Sequence, residues 1–534
     1  MKLMNNNICR CLLLELMIFT GFMGCGYKTG ELPYETFLDV DVYTADGMDQ
    51  GVQTGWYAEM LGDLFGIQLN YVDTPDEADL IICSAADGSF EEMAESGMLY
   101  NLESFLESGV VPVIDDREIL NYRDAIVSFH KDAGLEGIYG IPGEMSRLSV
   151  GTPAEETEPE YGPYLRWDIY EEIGYPVIAD TESLLEVLKT MQQEARGVNG
   201  GKEIYAVSLY QGEEGCLHHG IAFAGIYGYA DADLYLVKGD GNSYQDMADR
   251  NSLYMQAIRF YNQAYRQGLM DPESAEQTLK DVYRKMEQGN VLFTFDSDMI
   301  YTYNSKDHME NGIGYKMVSI RNMKILSYGV GTVRPVKVIA VGSNAEDPER
   351  LLQYINWLYT PEGIMASGTS SMNTAGIVDL TWEVREGVPV LTEFGKQVMS
   401  DGDTAMPEEW GGGTFTEGSC KLDFSPVVSV EVSPSGYTYN YRLWASVLEE
   451  EADLLEQKWT AQMNAHTSME YLQTAGEILV SDGSLLEWSA AGEALDSEEG
   501  RRIIGAFSWK MIYAQDEAEF EQLYEEMLEA LKKE

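Results

Sequence analysis

The sequence predicts an α/β protein built on an open, largely parallel sheet, and two observations lead to that prediction. Short stretches alternate hydrophobic and polar residues, which is the period of a β-strand, whereas longer stretches repeat them every three to four residues, which is the period of an α-helix. From Phe37 onward the two patterns follow one another along the chain. Such an order is typical of sheets covered by helices.

The first part of the chain contains three predicted strands and two predicted helices. In order they are the strand FLDVDVYTA, the helix GWYAEMLGDLFG ending at Gly66, the strands IQLNYVDT and EADLIICSA, and the helix SFEEMAESGML. The third strand is apolar enough to be buried on both faces. Ligands of open sheets bind outside the carboxyl ends of the strands, which singles out the loops TADGMDQG and AADGS.

A second part of the chain follows the segment LEGIYGIPGEM, whose glycine and proline spacing indicates a strand hairpin leading into a crossover. Its predicted elements are YLRWDIYEEIGYP as a strand end with a helix, TESLLEVLKTMQQEA as a helix capped by Thr181, EIYAVSLY as a strand, LYMQAIRFYNQAYRQGL and QTLKDVYRKMEQGN as helices, and VLFTF as a strand. The strand VKVIAVGS and a pair of helices come next, and the region from about residue 440 to the end is mostly helical.

The first residues have the pattern of a signal peptide, predicted to span residues 1–24. Lys2 and Arg10 precede an apolar run at residues 11–24. That run is too short for a hydrocarbon core of about 30 Å, which needs about 20 residues. A basic start, a short apolar run and a small residue before the cut are the features of a secretory signal.

Cys25, the residue after this segment, indicates a lipid anchor. Gly24 supplies the small side chain at the cut, and Cys25 follows it. The stretch FMGC resembles the bacterial lipoprotein box, although Phe22 stands where leucine is usual. The resemblance implies that Cys25 is the lipidation site, that residues 25–36 form the lipidated cysteine and a tether, and that the protein is held at the extracytoplasmic face of the cell membrane. An ordinary secretory signal and a short membrane anchor are the alternatives.

Composition argues against several classes of partner. The chain has 35 Lys+Arg against 90 Asp+Glu, a formal net charge of −55, which repels nucleic-acid phosphates. Beyond Cys25 it has Cys83, Cys216 and Cys420, enough for one disulfide at most and without metal-binding CxxC spacing. The 34 tyrosines and 9 tryptophans favour carbohydrate contact, because sugar rings present apolar faces to aromatic rings.

Five stretches occur together in an order known from one family. They are GIYGIP at 137–142, YLRWDIYEEIGYP at 164–176, AIRFYNQAYRQGLMDPES at 257–274, MEQGNVLFTFDS at 286–297 and DPERLLQYINWLYTPEGIMASG at 347–368. Together they resemble the extracellular solute-binding lipoproteins of ABC importers, most closely the sugar-binding branch of Gram-positive bacteria. The resemblance implies a two-lobed periplasmic-binding-protein-like fold of type II, with hinge strands and a central ligand cleft.

The same resemblance implies discontinuous lobes and a function. Lobe 1 is expected to contain residues 37–145 and 291–332, and lobe 2 residues 146–290 and 333–534. Ligand binding favours a closed state that the membrane permease recognises. The expected ligand is a mono- or oligosaccharide, held by a monomer without catalytic residues, cofactor or metal.

Candidate ligand-binding residues lie in loops and at strand ends. They are Asp46, Asp87, Arg166, Tyr210, Gln211, Asp296 and Trp410. The first two either accept sugar hydroxyls or form turns and cap helices. Arg166 either donates to the ligand or pairs with a nearby carboxylate, and Trp410 in PEEWGGGTF is either a stacking platform or a plug over the core. The adjacent His218 and His219 point apart, so no shared metal is expected.

Three alternatives remain open at the level of sequence. The chain is also compatible with a binding protein for peptides or other polar solutes, and with a surface lipoprotein that scaffolds a partner. A secreted glycoside hydrolase would need two carboxyl groups about 5–9.5 Å apart, and PEEW is one place to look for them. The sequence contains no G-x-S-x-G, H-E-x-x-H or P-loop motif.

Overall fold

A computed structural model describes the chain except for residues 1–33, 35, 46–49, 107, 115–121, 199–202, 213–214, 334, 482, 484, 486–496 and 534. The predicted signal peptide, Cys25 and Asp46 therefore lie outside the described residues. The mixed α/β class is confirmed. In the part of the chain that is described, none of the helices combines the length and the hydropathy required to cross a bilayer.

Strands and helices are interspersed along the chain. The strands are β1 (Leu38–Thr44), β2 (Gly51–Val52), β3 (Ile67–Val72), β4 (Leu80–Ser84), β5 (Ile141–Pro142), β6 (Tyr161–Arg166), β7 (Tyr229–Ala232), β8 (Tyr235–Lys238), β9 (Tyr244–Asp246), β10 (Phe293–Asp296), β11 (Tyr315–Met317), β12 (Ile325–Tyr328), β13 (Lys337–Val341), β14 (Trp382–Arg385), β15 (Val388–Leu391) and β16 (Ile478–Ser481). The α-helices are α1 (Trp56–Phe65), α2 (Ser89–Glu95), α3 (Glu103–Leu106), α4 (Tyr122–Asp132), α5 (Trp167–Glu172), α6 (Thr181–Val198), α7 (Leu217–Gly225), α8 (Leu253–Arg266), α9 (Leu279–Glu287), α10 (Ser297–Ile300), α11 (Lys306–Glu310), α12 (Pro348–Leu358), α13 (Pro361–Ser367), α14 (Glu393–Ser400), α15 (Ala445–Glu451), α16 (Leu454–Met463), α17 (Ser468–Ala475), α18 (Ser497–Ile512) and α19 (Glu517–Leu531).

The first compact unit contains the described residues within Met1–Arg147 and Arg334–Val447. Its sheet has the strand order β2-β3-β1-β4-β13-β5. Strand β1 pairs in parallel with β3 and β4, whereas β13 runs antiparallel to β4. Residues Leu80 to Cys83 of β4 are all buried, as its unbroken apolar sequence predicts for a strand covered on both faces.

The second compact unit contains the described residues within Leu148–Val333 and Leu448–Glu534. Its central sheet is antiparallel, with β6 between β10 and β11. Helices α6 to α9 and the C-terminal helices α16 to α19 contribute to one buried hydrophobic cluster with this sheet. The C-terminal region is therefore part of the second core, and it is mostly helical as predicted.

Two segments of the chain belong to the other unit than the sequence predicted. The prediction assigned residues 291–332 to lobe 1 and residues 333–534 to lobe 2. In the structure β10 and β11 pair with β6 in the second unit, whereas β13 pairs with β4 and β5 in the first. Strand pairing decides the division because buried backbone groups need hydrogen-bond partners. The first crossing, after Arg147, lies two residues from the predicted boundary.

Two local predictions also differ from the structure. The segment EIYAVSLY is not a regular strand, since Tyr205 and Val207 form isolated β-bridges. The cap of α6 lies one residue before Thr181, because the carboxylate of Asp180 accepts a hydrogen bond from the backbone N–H of Ser183 at 2.8 Å. The first difference arises from tertiary pairing and the second from side-chain capping. Hydrophobic periodicity carries information on neither.

Helix α7 packs closely against its neighbours because of two glycines. A Cβ atom on Gly220 would lie 2.4 Å from Cδ2 and Cε2 of Tyr254 in α8. A Cβ atom on Gly225 would lie 2.7 Å from Cδ2 of Tyr161 in β6. Both neighbours are rigid ring atoms, and Tyr254 is completely buried. A larger residue at either position would push α7 away from β6 or α8, since protein interiors are close-packed.

We expect Gly220→Ala to lower the free energy of unfolding by about 1–3 kcal/mol, the usual cost of overpacking a core. Gly197→Ala in α6 is the matched control, because nothing lies within 4 Å of its Cβ position. Alanine is favoured over glycine in helices by about 1 kcal/mol, so this control should be neutral or stabilising. Urea unfolding followed by circular dichroism measures both variants. Equal effects of the two substitutions would contradict the packing argument.

Candidate functional site

A cavity of about 460 Å³ opens in the second unit. This volume lies within the range of about 300–1,000 Å³ that is typical of small-molecule sites. The polar and aromatic side chains that line it are Glu160, Tyr161, Tyr210, His218, Tyr229, Asp231, Tyr328 and Arg501. All of them belong to the second unit.

Four tyrosines contribute aromatic surface to the cavity, each from a different element. Tyr161 begins β6, Tyr229 begins β7 and Tyr328 ends β12, whereas Tyr210 lies in the segment before α7. Burial raises the pKa of Tyr161 and Tyr210 above the ordinary range and raises the pKa of Tyr328 to about 12. These three phenols are neutral near pH 7 and can both donate and accept hydrogen bonds.

Strand β10 and helix α7 bring a carboxylate and an imidazole together beside this aromatic wall. Nε2 of His218 lies 3.1 Å from Oδ2 of Asp296. Oδ1 of Asp296 accepts a hydrogen bond from the backbone N–H of Asp298 at 2.9 Å, which fixes the carboxylate at the start of α10. The sheet register pairs Asp296 with Tyr161, and the ring of His218 lies 5.8 Å from that of Tyr210. Two of the predicted residues, Tyr210 and Asp296, therefore meet around His218.

His219 supports Tyr210 from the protein interior. Its Nε2 lies 3.0 Å from the carbonyl oxygen of Tyr210 and 3.2 Å from its backbone nitrogen. The two rings meet edge to face at 4.7 Å. Burial, assisted by His218, lowers the pKa of His219 to about 3. The ring is therefore neutral at physiological pH and positions Tyr210.

Helix α18 contributes Arg501 to the cavity wall. Its Nη1 and Nη2 lie 2.9 Å from Oδ1 and Oδ2 of Asp231, and Nη1 also donates to the carbonyl of Asp233 at 2.6 Å. This is the two-point geometry of a strong arginine–carboxylate pair. Sequence reasoning missed both residues, because Asp231 and Arg501 are 270 positions apart and neither lies in a recognisable motif.

The chain is similar to known proteins in its structure rather than in its sequence. Neither a protein-family model nor a curated protein sequence matches the chain. It is similar to an HMO binding ABC-transporter associated solute-binding protein from Bifidobacterium longum infantis, with a TM-score of 0.51 and 12% identity over 93% of this chain and 98% of that one. An extracellular solute-binding protein from Bifidobacterium longum subsp. infantis gives the same score and identity over 94% and 98%. The chain has the two-lobed solute-binding-protein fold.

Two predicted residues of the second unit of this solute-binding fold lie outside the cavity wall. Nε and Nη2 of Arg166 donate to Asp168 at 2.9 and 2.6 Å, and the guanidinium lies 4.2 Å above the ring of Tyr303. Arg166 is thus buried and paired with a neighbouring carboxylate. Gln211 is exposed, and its backbone N–H donates to the carbonyl of Gln277 at 2.9 Å.

The remaining predicted residues belong to the first unit. Asp87 is exposed and accepts a hydrogen bond from the backbone N–H of Ser89 at 2.9 Å, which lowers the pKa of Asp87. This hydrogen bond closes the turn that precedes α2. Trp410 is half-buried and packs against the hydrophobic cluster of its unit. Asp46 lies outside the described residues.

The cysteines show no sign of metal or redox chemistry in the described part of the chain. Cys83, Cys216 and Cys420 are free and buried. Burial raises the pKa of Cys420 to about 11 and that of Cys83 to about 12, so both are thiols near pH 7. Among the residues that the structure describes, no three His, Cys, Asp or Glu side chains are arranged to hold a metal ion.

We expect His219 to make the protein less stable in acid. Its pKa is about 3 in the folded protein, against an ordinary 6.5. Between these values only the unfolded chain binds the proton, so the free energy of unfolding falls as the pH is lowered from about 6.5 towards 3. The slope contributed by one proton is at most about 1.4 kcal/mol per pH unit.

His219→Gln keeps a side-chain amide that can form a hydrogen bond with the backbone of Tyr210 but does not titrate, so it should remove this contribution. Denaturant unfolding at several pH values between 4 and 7 measures it as the difference from the unmodified protein. His466→Gln is the control, because that histidine is 31% exposed. A pH dependence unchanged by His219→Gln would show that a neutral buried His219 is the wrong description.

Proposed function

We propose that this chain is the extracellular substrate-binding protein of an ABC import system, which captures a mono- or oligosaccharide and delivers it unchanged to the membrane permease. The observation that carries the proposal is a cavity walled by tyrosines in a chain with the solute-binding fold. One similar structure is described as HMO binding and ABC-transporter associated, and the other as extracellular. The first description supports a role in ABC transport, and the second supports capture outside the cytoplasm.

The chemistry of the cavity suits a sugar that is bound without being cleaved. Tyrosine rings offer faces for the apolar faces of a pyranose, and their hydroxyls offer hydrogen bonds at the ring edge. His218 and Asp296 add groups that can form hydrogen bonds with a ligand. The His218 side chain is 36% exposed and the Asp296 side chain 19% exposed. Binding of this kind needs fixed hydrogen bonds and stacking, but no proton transfer to the ligand.

Delivery requires that the permease distinguish the loaded protein from the empty one. A ligand shifts the protein towards whichever conformation it binds more tightly, so the permease can recognise the loaded state without touching the ligand. We propose that the protein acts as a monomer and is held at the extracytoplasmic face of the membrane through a diacylglycerol group on Cys25. Two acyl chains provide lasting attachment where a single chain does not.

A thermal-shift panel of neutral oligosaccharides tests the proposed function. A sugar present at a hundred times its dissociation constant should stabilise the protein by about 2.7 kcal/mol. Mass spectrometry of the recovered sugar should show it intact. Cleavage of the sugar would favour a glycoside hydrolase, and a response to peptides but to no sugar would keep the solute-binding role and change the ligand.

We expect Tyr210→Ala to weaken binding of the best sugar at least tenfold, which corresponds to about 1.4 kcal/mol. The substitution removes an aromatic face from the cavity wall, together with the edge-to-face contact that Tyr210 makes with the buried His219. Tyr244→Ala is the matched control, because Tyr244 is 62% exposed in the same unit and lies outside the cavity wall. Isothermal titration calorimetry measures both. An equal loss of affinity in the two variants would remove Tyr210 from the proposed site.

We expect Cys25→Ala to abolish lipid labelling of the protein in cells fed an alkyne fatty acid, and to release the protein into the medium. Cys11→Ala is the control, since Cys11 belongs to the predicted signal peptide and is removed with it. Click labelling followed by gel fluorescence measures the incorporated lipid. Labelling that survives Cys25→Ala would place the lipid elsewhere on the chain.

A further inference from the structure

The wall of the cavity in the second unit carries more acidic than basic side chains, and the solute-binding fold does not by itself require this excess. We propose that this cavity selects uncharged or amine-bearing sugars and rejects sugars that carry a carboxylate, sulfate or phosphate group. The inference rests on the proposed function, since it concerns which carbohydrates the cavity admits. It is carried by the identity and pairing of the charged side chains in the cavity wall.

The wall of the cavity carries more negative than positive charge. Glu160 and Asp231 line it, and Asp296 adjoins it through His218. Among the described lining residues, Arg501 is the one side chain that is permanently cationic near pH 7. Three carboxylates against one guanidinium and one imidazole leave a net charge between −2 and −1, whatever the protonation of His218. Such a wall repels an anionic group and favours an ammonium group or a hydroxyl donor.

Arg501 is already engaged by the protein and does not serve as an anion clamp. Its two terminal nitrogens both face the carboxylate of Asp231 at 2.9 Å, and one of them also donates to the carbonyl of Asp233. The Arg501 side chain is 12% exposed. A carboxylate on a sugar would need the same two-point geometry and would have to displace Asp231. Displacement would break the two-point ion pair between Asp231 and Arg501, and losing such a pair is costly for partly buried charges.

Glu160 places negative charge where a sugar would lie against the tyrosines. It is exposed, and it immediately precedes Tyr161 at the start of β6. Burial is the main cause of the raised pKa of Tyr161 and Tyr328. The negative charge of Glu160 is the second largest cause for both residues. Its charge thus acts on two of the four aromatic residues of the cavity. A hydroxyl or amine on the sugar can donate to this carboxylate, whereas an acidic substituent meets a like charge.

Matched sugars that differ in one charged group test the proposal. The probes are neutral glycans of several linkages, each paired with a derivative that carries one carboxylate, such as lacto-N-tetraose and its monosialylated form. A glucosamine oligomer supplies the amine-bearing case. Isothermal titration calorimetry at constant ionic strength is expected to show the acidic member of a pair binding at least tenfold more weakly. The amine-bearing sugar should bind no more weakly than its acetylated counterpart.

Asp231→Asn tests the mechanism directly, because it removes the carboxylate that Arg501 binds through two nitrogens and hardly changes the volume of the side chain. This variant should reduce the preference for the neutral sugar at least tenfold. Asp240→Asn is the matched control. It changes the net charge of the protein equally, but Asp240 lies in the turn after β8, pairs with Lys238 at 3.3 Å and is not part of the cavity wall.

The outcomes separate this inference from the proposed function. If acidic sugars bind the unmodified protein as tightly as their neutral counterparts, the selectivity is overturned and the sugar-binding function stands. If Asp231→Asn and Asp240→Asn change the preference equally, the effect belongs to the overall charge and the role of the cavity wall is overturned. If no glycan of any charge binds, the proposed function fails and the inference fails with it.

Discussion

The close approach of helix α7 to strand β6 is the constraint on which the candidate site depends. Gly220 and Gly225 have no side chain where Tyr254 and Tyr161 lie, so the helix comes nearer to both than any other residue would allow. The start of the same helix carries the two histidines, one reaching the carboxylate at the end of β10 and the other reaching the backbone of Tyr210. Interior packing therefore sets the position of groups that face the cavity.

In the second unit, the arginines that stabilise the fold are different from the side chains that are available to bind a ligand. Arg166 and Arg501 each bind one carboxylate through two nitrogens, and both are largely buried. Such pairs offset the cost of desolvating each ion, but they contribute little net stability. Their value lies in fixing β6 and α18 while leaving no unpaired guanidinium at these two positions. The groups that remain for a ligand are mainly neutral phenols, which bind by stacking and by hydrogen bonds.

Sequence patterns predicted local elements well and tertiary partners poorly. The alternation in β1 and β3 and the left-handed cap at Gly66 are properties of a few neighbouring residues, so they could be read from the chain. Asp296 could be proposed from the sequence because the end of a strand is a local feature. The pairing of β10 with β6, which moved residues 291–332 to the second unit, depends on contacts over more than a hundred positions. The ion pair of Asp231 with Arg501 was invisible for the same reason.

The charge of the whole chain and the charge of the cavity have the same sign, and this limits what electrostatics can do for binding. With a formal net charge of −55, the surface repels anions at long range, and only a locally positive wall could reverse that effect. The pairing of Arg501 with Asp231 prevents such a reversal at the position where a cation lies. The charge of the wall therefore only disfavours anions. The affinity for an uncharged sugar must come from shape, stacking and hydrogen bonding, and these interactions depend little on ionic strength. A neutral, hydroxyl-rich solute is the chemical class that gains from all three.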